Sequence, residues 1–376
     1  MAVKLGSPGQ GTWVSGVYNT GSVLAFLICG ANSDLFGRRY FILFGNLLLI
    51  VGCIVAGSAS SMTSVIAGMA LVGFGGGNCQ LAVFAIPELL PNKWRHIGVV
   101  IAEALAYVSA IIGPVCARYA LNNGDGWRWL FYGNCFANAL AAVILAFLYF
   151  PPKHPRGIPV KEALRNLDYV GMFIFTAALT LFIVGVIYAS YIPSNDVKVV
   201  APLTIGSVLI VAFAIWESGL IASIKIPVTP PHLFRHNHGR SFTAPFIVGA
   251  IVSMYYLGPG IVWATMVNSF FTAPTDPESK ALKLSIIQGL GILVGALCLT
   301  VLGGRIKRWK WQMLVTTTFM TLFGSLLGLG RPGTESMSIV FLALSAVFYA
   351  WAQYLATAYA QLGAEQVELG VAGGLA

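Results

Sequence analysis

The residues of this sequence best placed to do chemistry lie in the segment Gly30-Ala-Asn-Ser-Asp-Leu-Phe-Gly-Arg-Arg-Tyr40, which separates two long apolar runs. Asp34 can accept hydrogen bonds from a helix N-terminus or pair with a basic side chain, which would make it a releasable latch. Glycines at the spacing of Gly30 and Gly37 allow a sharp turn and close helix packing. A plainer interpretation is that Arg38 and Arg39 only anchor the segment on one side of a membrane. That alternative does not explain Asp34 or the glycines.

Other polar residues stand alone inside apolar segments. Glu103 lies about 9 Å along its segment, roughly six residues from the start. An acid at that depth is costly and is a candidate proton carrier, with a structural ion-pair partner or a water-exposed residue as equal alternatives. Amides that could line a cavity are Asn78, Gln80, Gln288 and Gln353. Aromatic residues that could form its walls, though each alone is better explained by packing, are Tyr255, Tyr256, Trp263 and Tyr354.

The remaining candidates have plainer interpretations. Asp168, Glu217 and Lys283 lie at the ends of apolar segments and are interpreted as boundary charges. Three histidines share the segment 226–240 without an interleaved Cys, Asp or Glu, which favours a solvated linker over a metal site; they are His232, His236 and His238. The six cysteines have no framework spacing and are expected to be small core residues. No metal or other cofactor is expected.

The elements that must position these residues follow from composition. The chain has 376 residues, of which 57% are hydrophobic and only 9% charged, and its mean hydropathy is +0.80. Soluble domains carry about 25% charged residues, so this composition places the chain in a bilayer. The net charge of +9 does not indicate nucleic-acid binding, because the basic residues fall in short gaps between apolar runs.

Eleven apolar runs are long enough to cross a bilayer as helices, which predicts an all-α integral membrane protein. The predicted spans are 12–30, 41–59, 64–86, 97–117, 129–150, 169–190, 199–216, 242–263, 284–302, 312–330 and 337–360. Fifteen of the 22 Lys and Arg residues fall in one of the two alternating sets of loops, which the positive-inside rule makes cytoplasmic. The segment 30–40 belongs to that set and is predicted to be a cytoplasmic turn.

A second basic turn, Gly303-Gly-Arg-Ile-Lys-Arg308, repeats the order of apolar run, glycine and basic cluster. Related halves of this kind are common in transporters. The longest polar stretches lie between the two turns, at 151–168 and 226–240.

These motifs together resemble the major facilitator superfamily. The pattern Gly30-x-x-x-Asp34-x-x-Gly37-Arg38-Arg39 is similar to the family's signature turn between helices two and three. Further matches in the expected order are the mid-helix glycines Gly73, Gly75 and Gly77, the pair Gly113-Pro114 of the antiporter motif, Trp127-Arg128-Trp129-Leu-Phe131, and Leu167-Asp168-Tyr-Val-Gly171, which opens two extra middle helices in fourteen-helix drug:proton antiporters. The stretches PELLPNKWR and WRWLFY are most similar to the fungal trichothecene efflux pump and siderophore transporter branch.

The resemblance implies a domain plan. Residues 1–150 would be an N-terminal half without its first helix, 151–241 two extra helices with cytoplasmic linkers, and 242–376 a truncated C-terminal half. The chain is therefore expected to be an incomplete version of a larger transporter, with about 11 of 14 helices. Two features depart from the family: Met69 stands where an arginine implicated in proton coupling is common, and Ser109 and Ala117 replace glycines of the antiporter motif.

The resemblance also implies function. Gly30, Asp34, Gly37, Arg38 and Arg39 would gate a transporter, and Gly113-Pro114 would control leak and direction, with a simple helix kink as the equal alternative. The expected activity is export of a small toxin-like or drug-like compound, with protons as the coupling ion. Alternatives are uptake of siderophore-bound iron and an inactive or sensor-like membrane protein. A monomer in the plasma membrane is expected, or in the vacuolar membrane, and no enzymatic motif is evident.

Overall fold

The computed structural model describes most of the chain, as helices that are long and apolar enough to cross a membrane. The described residues are 10–82, 108, 109, 111–113, 115–117, 119, 120, 125–150, 160–219, 227–235, 242–273, 276, 278–306, 308–362 and 371. Ten helices in this part of the chain have the required length and hydropathy. They correspond to ten of the eleven predicted spans, and the eleventh, 97–117, lies largely outside the described residues. The predicted all-α membrane fold is confirmed.

The first of two compact units takes its described helices from residues 1–85 and 124–235, together with Val371 near the C-terminus. In chain order the helices are α1 (Gly11–Phe36), α2 (Arg38–Gly57), α3 (Met62–Gln80), α4 (Trp127–Leu148), α5 (Val160–Asn166), α6 (Tyr169–Ala189), α7 (Val197–Glu217) and α8 (Pro231–Arg235). Helix α3 packs against both α1 and α2, α2 also packs against α4, and α6 pairs with α7 and contacts α1.

The second unit contains the described residues between Ile86 and Asn123 and takes its longer helices from the region between His236 and Gly363. They are α9 (Thr243–Met266), α10 (Glu278–Ser285), α11 (Ile287–Cys298), α12 (Trp309–Leu326) and α13 (Glu335–Leu362). Helix α9 continues as a π-helical turn over Val267–Phe271, and α11 continues as another over Leu299–Gly303. Helix α13 packs against α9, α11 and α12.

Short polar side chains fix where the two middle helices begin. The Asp168 carboxylate accepts the backbone N–H of Gly171 at 2.9 Å, and that of Asp196 accepts the backbone N–H of Lys198 at 2.8 Å. Each satisfies one of the backbone donors that a helix leaves unpaired at its N-terminus, a contact worth about 1 kcal/mol. Two adjacent apolar runs therefore form the separate helices α6 and α7, which pack as a hairpin.

Helix α1 is longer than predicted, so the expectation that all of Gly30–Tyr40 forms a turn is wrong in extent. The helix runs to Phe36, and only Gly37 leaves helical conformation before α2 begins. Polar residues such as Ser33 and Asp34 interrupt the apolar pattern, yet both are fully buried within the helix. Hydrophobicity alone therefore ended the predicted span too early.

Candidate gating site and cavity-lining residues

The turn between α1 and α2 consists of a single glycine. Gly37 has φ +89° and ψ 140°, and its backbone N–H donates to the carbonyl oxygen of Ser33 at 3.0 Å. An L-residue rarely adopts this conformation, so the turn requires glycine although no atom lies within 4 Å of where a Cβ would stand. The two helices are therefore joined by one sharp reversal rather than by a loop.

Asp34 and Arg38 flank this turn and form a buried ion pair. Their exposed fractions are 0% and 2%, and Oδ1 of Asp34 on α1 lies 3.2 Å from Nη2 of Arg38, the first residue of α2. The second oxygen, Oδ2, accepts the backbone N–H of Val371 at 2.9 Å. Val371 is itself buried and belongs to the same compact unit. One carboxylate therefore joins the turn to a segment 337 residues later in the chain.

Arg39 makes contacts of a different kind from those of Arg38. Its Nη2 donates to the carbonyl oxygen of Ala146 at 2.8 Å, in the last turn of α4, and its guanidinium carbon lies 3.9 Å from the centroid of the Phe150 ring. Cations at helix C-termini offset the partial negative charge of unpaired carbonyl groups. Arg39 therefore ties the start of α2 to the end of α4.

Arg128 makes the matching contact at the opposite ends of the same two helices. Its Nη1 donates to the carbonyl oxygen of Gly57, the last residue of α2, at 2.7 Å. The guanidinium carbon lies 4.7 Å from the centroid of the Trp127 ring, which itself packs in a buried cluster with Met62 and Val65. The stretches GRRY and WRWLFY thus supply the arginine contacts at the two ends of the α2–α4 pair.

The glycines of α3 lie where neighbouring backbones approach closely. A Cβ at Gly73 would collide with the backbone of Tyr18 on α1, and a Cβ at Gly75 would lie 2.7 Å from the carbonyl oxygen of Gly45 on α2. Gly77 faces α1 again, at Ser22. Alternate glycines therefore allow α1 and α2 to pack closely against two faces of α3, as small residues do at the interfaces of membrane helices.

Two further sequence candidates on α3, Asn78 and Met69, lie in helix interfaces. Asn78 is fully buried and donates through Nδ2 to the carbonyl oxygen of Phe74 on its own helix at 2.9 Å. A Cβ added at Gly45 of α2 would lie 2.6 Å from that of Asn78, which places Asn78 against α2. Met69 packs against two hydrophobic clusters that both include Phe131. The third candidate on this helix, Gln80, is exposed.

In the second unit, Gln288 lies beside a pair of stacked tyrosines. The rings of Tyr256 and Tyr349 have centroids 4.2 Å apart and planes 15° apart. Together with Gln288 and Pro259 they line a small cavity of about 10 Å³, room for roughly one water molecule. A Cβ at Gly260 would lie 3.1 Å from the amide nitrogen of Gln288. This cavity brings together two predicted candidates for a substrate surface, Gln288 and Tyr256, with Tyr349, which was not among the predicted candidates.

The other aromatic candidates of this unit are engaged in packing. The Tyr255 hydroxyl donates to the carbonyl oxygen of Thr321 at 2.7 Å. Trp263 is 3% exposed, lies in a hydrophobic cluster, and donates its indole N–H to the carbonyl oxygen of Leu284 at 2.8 Å. Tyr354 is buried as well. Gln353 accepts the hydroxyl of Ser253 through Oε1 at 3.2 Å.

Several predicted site residues fall outside the described part of the chain. Glu103 and Pro114 are among them, as is the stretch PELLPNKWR. Gly113 is described as helical, and no atom among its non-neighbours lies within 4 Å of where its Cβ would stand. Of the three clustered histidines only His232 is described, and it is exposed.

Sequence reasoning missed one polar cluster, formed by the residues interpreted as boundary charges. The Asp168 and Glu217 carboxyl groups lie side by side, since a Cβ at Gly171 would meet both, and their exposed fractions are 6% and 4%. Glu217 also accepts the backbone N–H groups of Val228 and Thr229, each at 3.1 Å. Gly171, three residues after Asp168, is the sequence feature that accompanies this cluster. Glycine is needed there because a Cβ would collide with the Asp168 carboxyl group.

The ten long apolar helices define the class of the protein, a multi-pass integral membrane protein. Two solved structures resemble it. A POT family transporter in complex with a thioalcohol-conjugated peptide has a TM-score of 0.62 and 17% identity, covering 99% of this chain and 81% of its own. The xylose transporter XylE from E. coli has a TM-score of 0.54 and 16% identity, covering 98% and 80%. Likeness at these identities shows the fold alone.

Sequence comparison defines the family. A family model described as "Fungal trichothecene efflux pump" matches residues 3–376. The MFS-type transporter prx5 of Penicillium rubens is 42% identical over 367 residues, covering 97% of this chain and 67% of prx5. The trichothecene efflux pump TRI12 of Fusarium sporotrichioides is 26% identical, covering 95% and 60%. The chain belongs to the fungal trichothecene efflux pump family of the major facilitator superfamily, which confirms the resemblance, and it spans 60–67% of the length of these curated relatives.

Proposed function

We propose that this protein exports a small organic compound across a membrane by alternating access, with protons as the coupling ion. The site residues carry three roles in this proposal. Asp34 and Arg38 form the gate, the glycines of α3 allow the helices to pack and slide, and Gln288 with Tyr256 contributes to the substrate surface. The plasma membrane is the proposed location.

The observation that carries this proposal is the buried carboxylate of Asp34. A topology anchor needs only basic residues in water, whereas Asp34 and Arg38 are both removed from solvent at a cost of several kcal/mol per ion. Their pairing at 3.2 Å offsets part of that cost, and the Val371 N–H satisfies the second oxygen. A buried pair that also holds a later segment has the form of a contact that can be made in one state and broken in another.

The relatives support the substrate class. Two of them are named trichothecene efflux pumps, from Fusarium sporotrichioides and Trichoderma arundinaceum, and the family model carries the same description. Others are named as efflux transporters, among them ffsH of Aspergillus flavipes and dotC of Dothistroma septosporum. We therefore take a toxin-like secondary metabolite as the first substrate class to test.

The test is flux in proteoliposomes that contain the purified protein. A labelled trichothecene is expected to cross the membrane, faster with a pH gradient than without one. Flux of a labelled ferric siderophore alone would instead support the uptake alternative. No flux of either compound, with the protein normally inserted, would contradict transport.

The gate is tested by Asp34→Asn in the same assay. Asparagine keeps an acceptor for the Val371 N–H but removes the charge that faces Arg38, so flux is expected to fall to background while membrane insertion is unchanged. Asp125→Asn is the matched control, because Asp125 is exposed in the same unit. Wild-type flux in Asp34→Asn would reduce the turn to a topology anchor.

A further inference from the structure

A buried pair of carboxyl groups lies where α6, α7 and the segment 227–230 meet. Asp168 accepts the Gly171 N–H at 2.9 Å and the indole N–H of Trp216, which lies 3.0 Å from Oδ1 and 3.2 Å from Oδ2. Glu217, the last residue of α7, lies beside this carboxyl group. A Cβ at Gly171 would collide with the Asp168 carboxyl group and lie 3.1 Å from Oε1 of Glu217. Glycine at 171 therefore makes room for the pair.

A proton shared by these two buried carboxyl groups would remove the repulsion between them. An ionised carboxylate is only an acceptor, so two carboxyl groups can be hydrogen-bonded to each other only if one is protonated. Both oxygens of Glu217 already accept backbone N–H groups, from Val228 and Thr229. Two ionised carboxylates in contact, both removed from water, would repel each other strongly.

No described cation neutralises the pair. Neither Asp168 nor Glu217 forms an ion pair with a Lys or Arg among the described residues. On the packed elements, α6 carries no charged residue, the other charge of α7 is Lys198 at its far end, and segment 227–230 has none. The charged residues of α5 (Lys161, Glu162 and Arg165) and His232 of α8 are exposed, and the acid of α1, Asp34, is paired with Arg38.

We propose that Asp168 and Glu217 form a binding site for a single proton, and that the bound proton keeps Glu217 attached to the segment that follows α7. With the proton present, Glu217 holds the Val228 and Thr229 amides against the end of the α6–α7 hairpin. Loss of the proton leaves two facing negative charges, and the segment separates from the hairpin. This device goes beyond the proposed transport function and operates whether or not a substrate is bound.

A hydrogen bond connects α6, beside the carboxyl pair, to α1 near the gating turn. Met172, the residue after Gly171, accepts a hydrogen bond at its sulfur from Nδ2 of Asn32 at 3.7 Å. Asn32 lies two residues before Asp34, in the last turns of α1. The positive-inside rule places both the gating turn and the carboxyl pair on the cytoplasmic face, so the proposed proton would be exchanged with the cytoplasm.

The test is hydrogen exchange at Val228 and Thr229 in the full protein, expressed as a protection factor so that the intrinsic pH dependence of exchange cancels. In wild type, protection is expected to fall by about tenfold per pH unit over the range in which the closed pair holds a proton that the opened groups have lost, because one proton is then released on opening. Asp168→Asn is the matched variant: its amide can donate permanently to Glu217, while its oxygen still accepts the Gly171 N–H. Its protection is expected to be independent of pH.

Asp196→Asn serves as the control, because Asp196 caps the other end of α7 without a carboxyl partner. It is expected to keep the wild-type pH profile. Parallel profiles in wild type and Asp168→Asn would overturn the proposal.

A second measurement needs no variant. The infrared band of a protonated carboxyl group should be present in wild type and disappear at the upper end of this pH range. Its absence at every pH would also overturn the proposal. Neither readout involves transport, so failure here is distinguishable from failure of the proposed function.

Discussion

The two basic turns of this protein share a sequence pattern but differ in where their charges lie. In the turn between α1 and α2, Arg38 is 2% exposed and paired with the buried Asp34. In the turn after α11, Arg305 and Arg308 are both exposed, and the sequence supplies no acidic residue from Leu299 to Gln312. A shared run of glycine and basic residues therefore does not imply a shared role.

A neutral side chain holds the second turn in place. Gln312 is buried, donates through Nε2 to the carbonyl oxygen of Gly303 at 3.1 Å, and accepts the indole N–H of Trp351 through Oε1 at 3.1 Å. It thus ties the end of α11 to α13 without burying a charge. Burying the charges of Asp34 and Arg38 costs free energy in the first turn, whereas the second turn buries no charge. Such a cost is expected where a contact must be broken and remade.

The largest expected difference between the turns is in Arg38→Ala against Arg308→Ala. Removing Arg38 leaves Asp34 as a buried carboxylate without its cation, which costs about 3–5 kcal/mol of unfolding free energy. Arg308 is exposed, so its removal should cost less than about 0.5 kcal/mol. Thermal unfolding of the detergent-solubilised variants measures both. Equal shifts in the two melting temperatures would show that burial does not separate the turns.

A smaller effect is expected for Gly37→Ala against Gly303→Ala. Alanine at 37 would have to adopt φ near +89°, a strain of about 1–3 kcal/mol. Gly303 is not among the glycines of positive φ, and its added Cβ would lie 2.7 Å from Cδ1 of Leu299, the tip of a side chain that can rotate away. The same unfolding measurement should therefore show the larger loss at 37. A larger loss at 303 would contradict the importance of the one-residue turn.

The fold was predictable because it depends on local composition. Apolar length predicted the ten spans found among the described residues. The end of α1 was not predictable in the same way. Ser33 and Asp34 look like turn residues in one dimension, and only the contact of Asp34 with Val371, far along the chain, shows why they are buried in a helix.

The candidate site was predictable only where its residues are close in sequence. Asp34 and Arg38 are four residues apart in the sequence, and the one-residue turn at Gly37 leaves the end of α1 close enough to the start of α2 for them to pair. Asp168 and Glu217 are brought together by the packing of α6 on α7, which no local pattern encodes. Tryptophan is a residue type typical of cavity walls, but Trp263 lies in a hydrophobic cluster and its indole N–H donates to the carbonyl oxygen of Leu284.

The smallest expected effect is that of Arg39→Lys, which tests whether the basic residues of the first turn act by charge alone. Arg39→Lys keeps the charge and a donor for the carbonyl oxygen of Ala146, but it loses the planar guanidinium group that lies 3.9 Å from the Phe150 ring centroid. That contact is worth about 0.5–1 kcal/mol, so a small fall in melting temperature is expected. Arg305→Lys in the second turn should cause none, because Arg305 is exposed. If neither variant changes the melting temperature, Arg39 contributes charge only, and the distinction between the turns rests on Asp34 and Arg38.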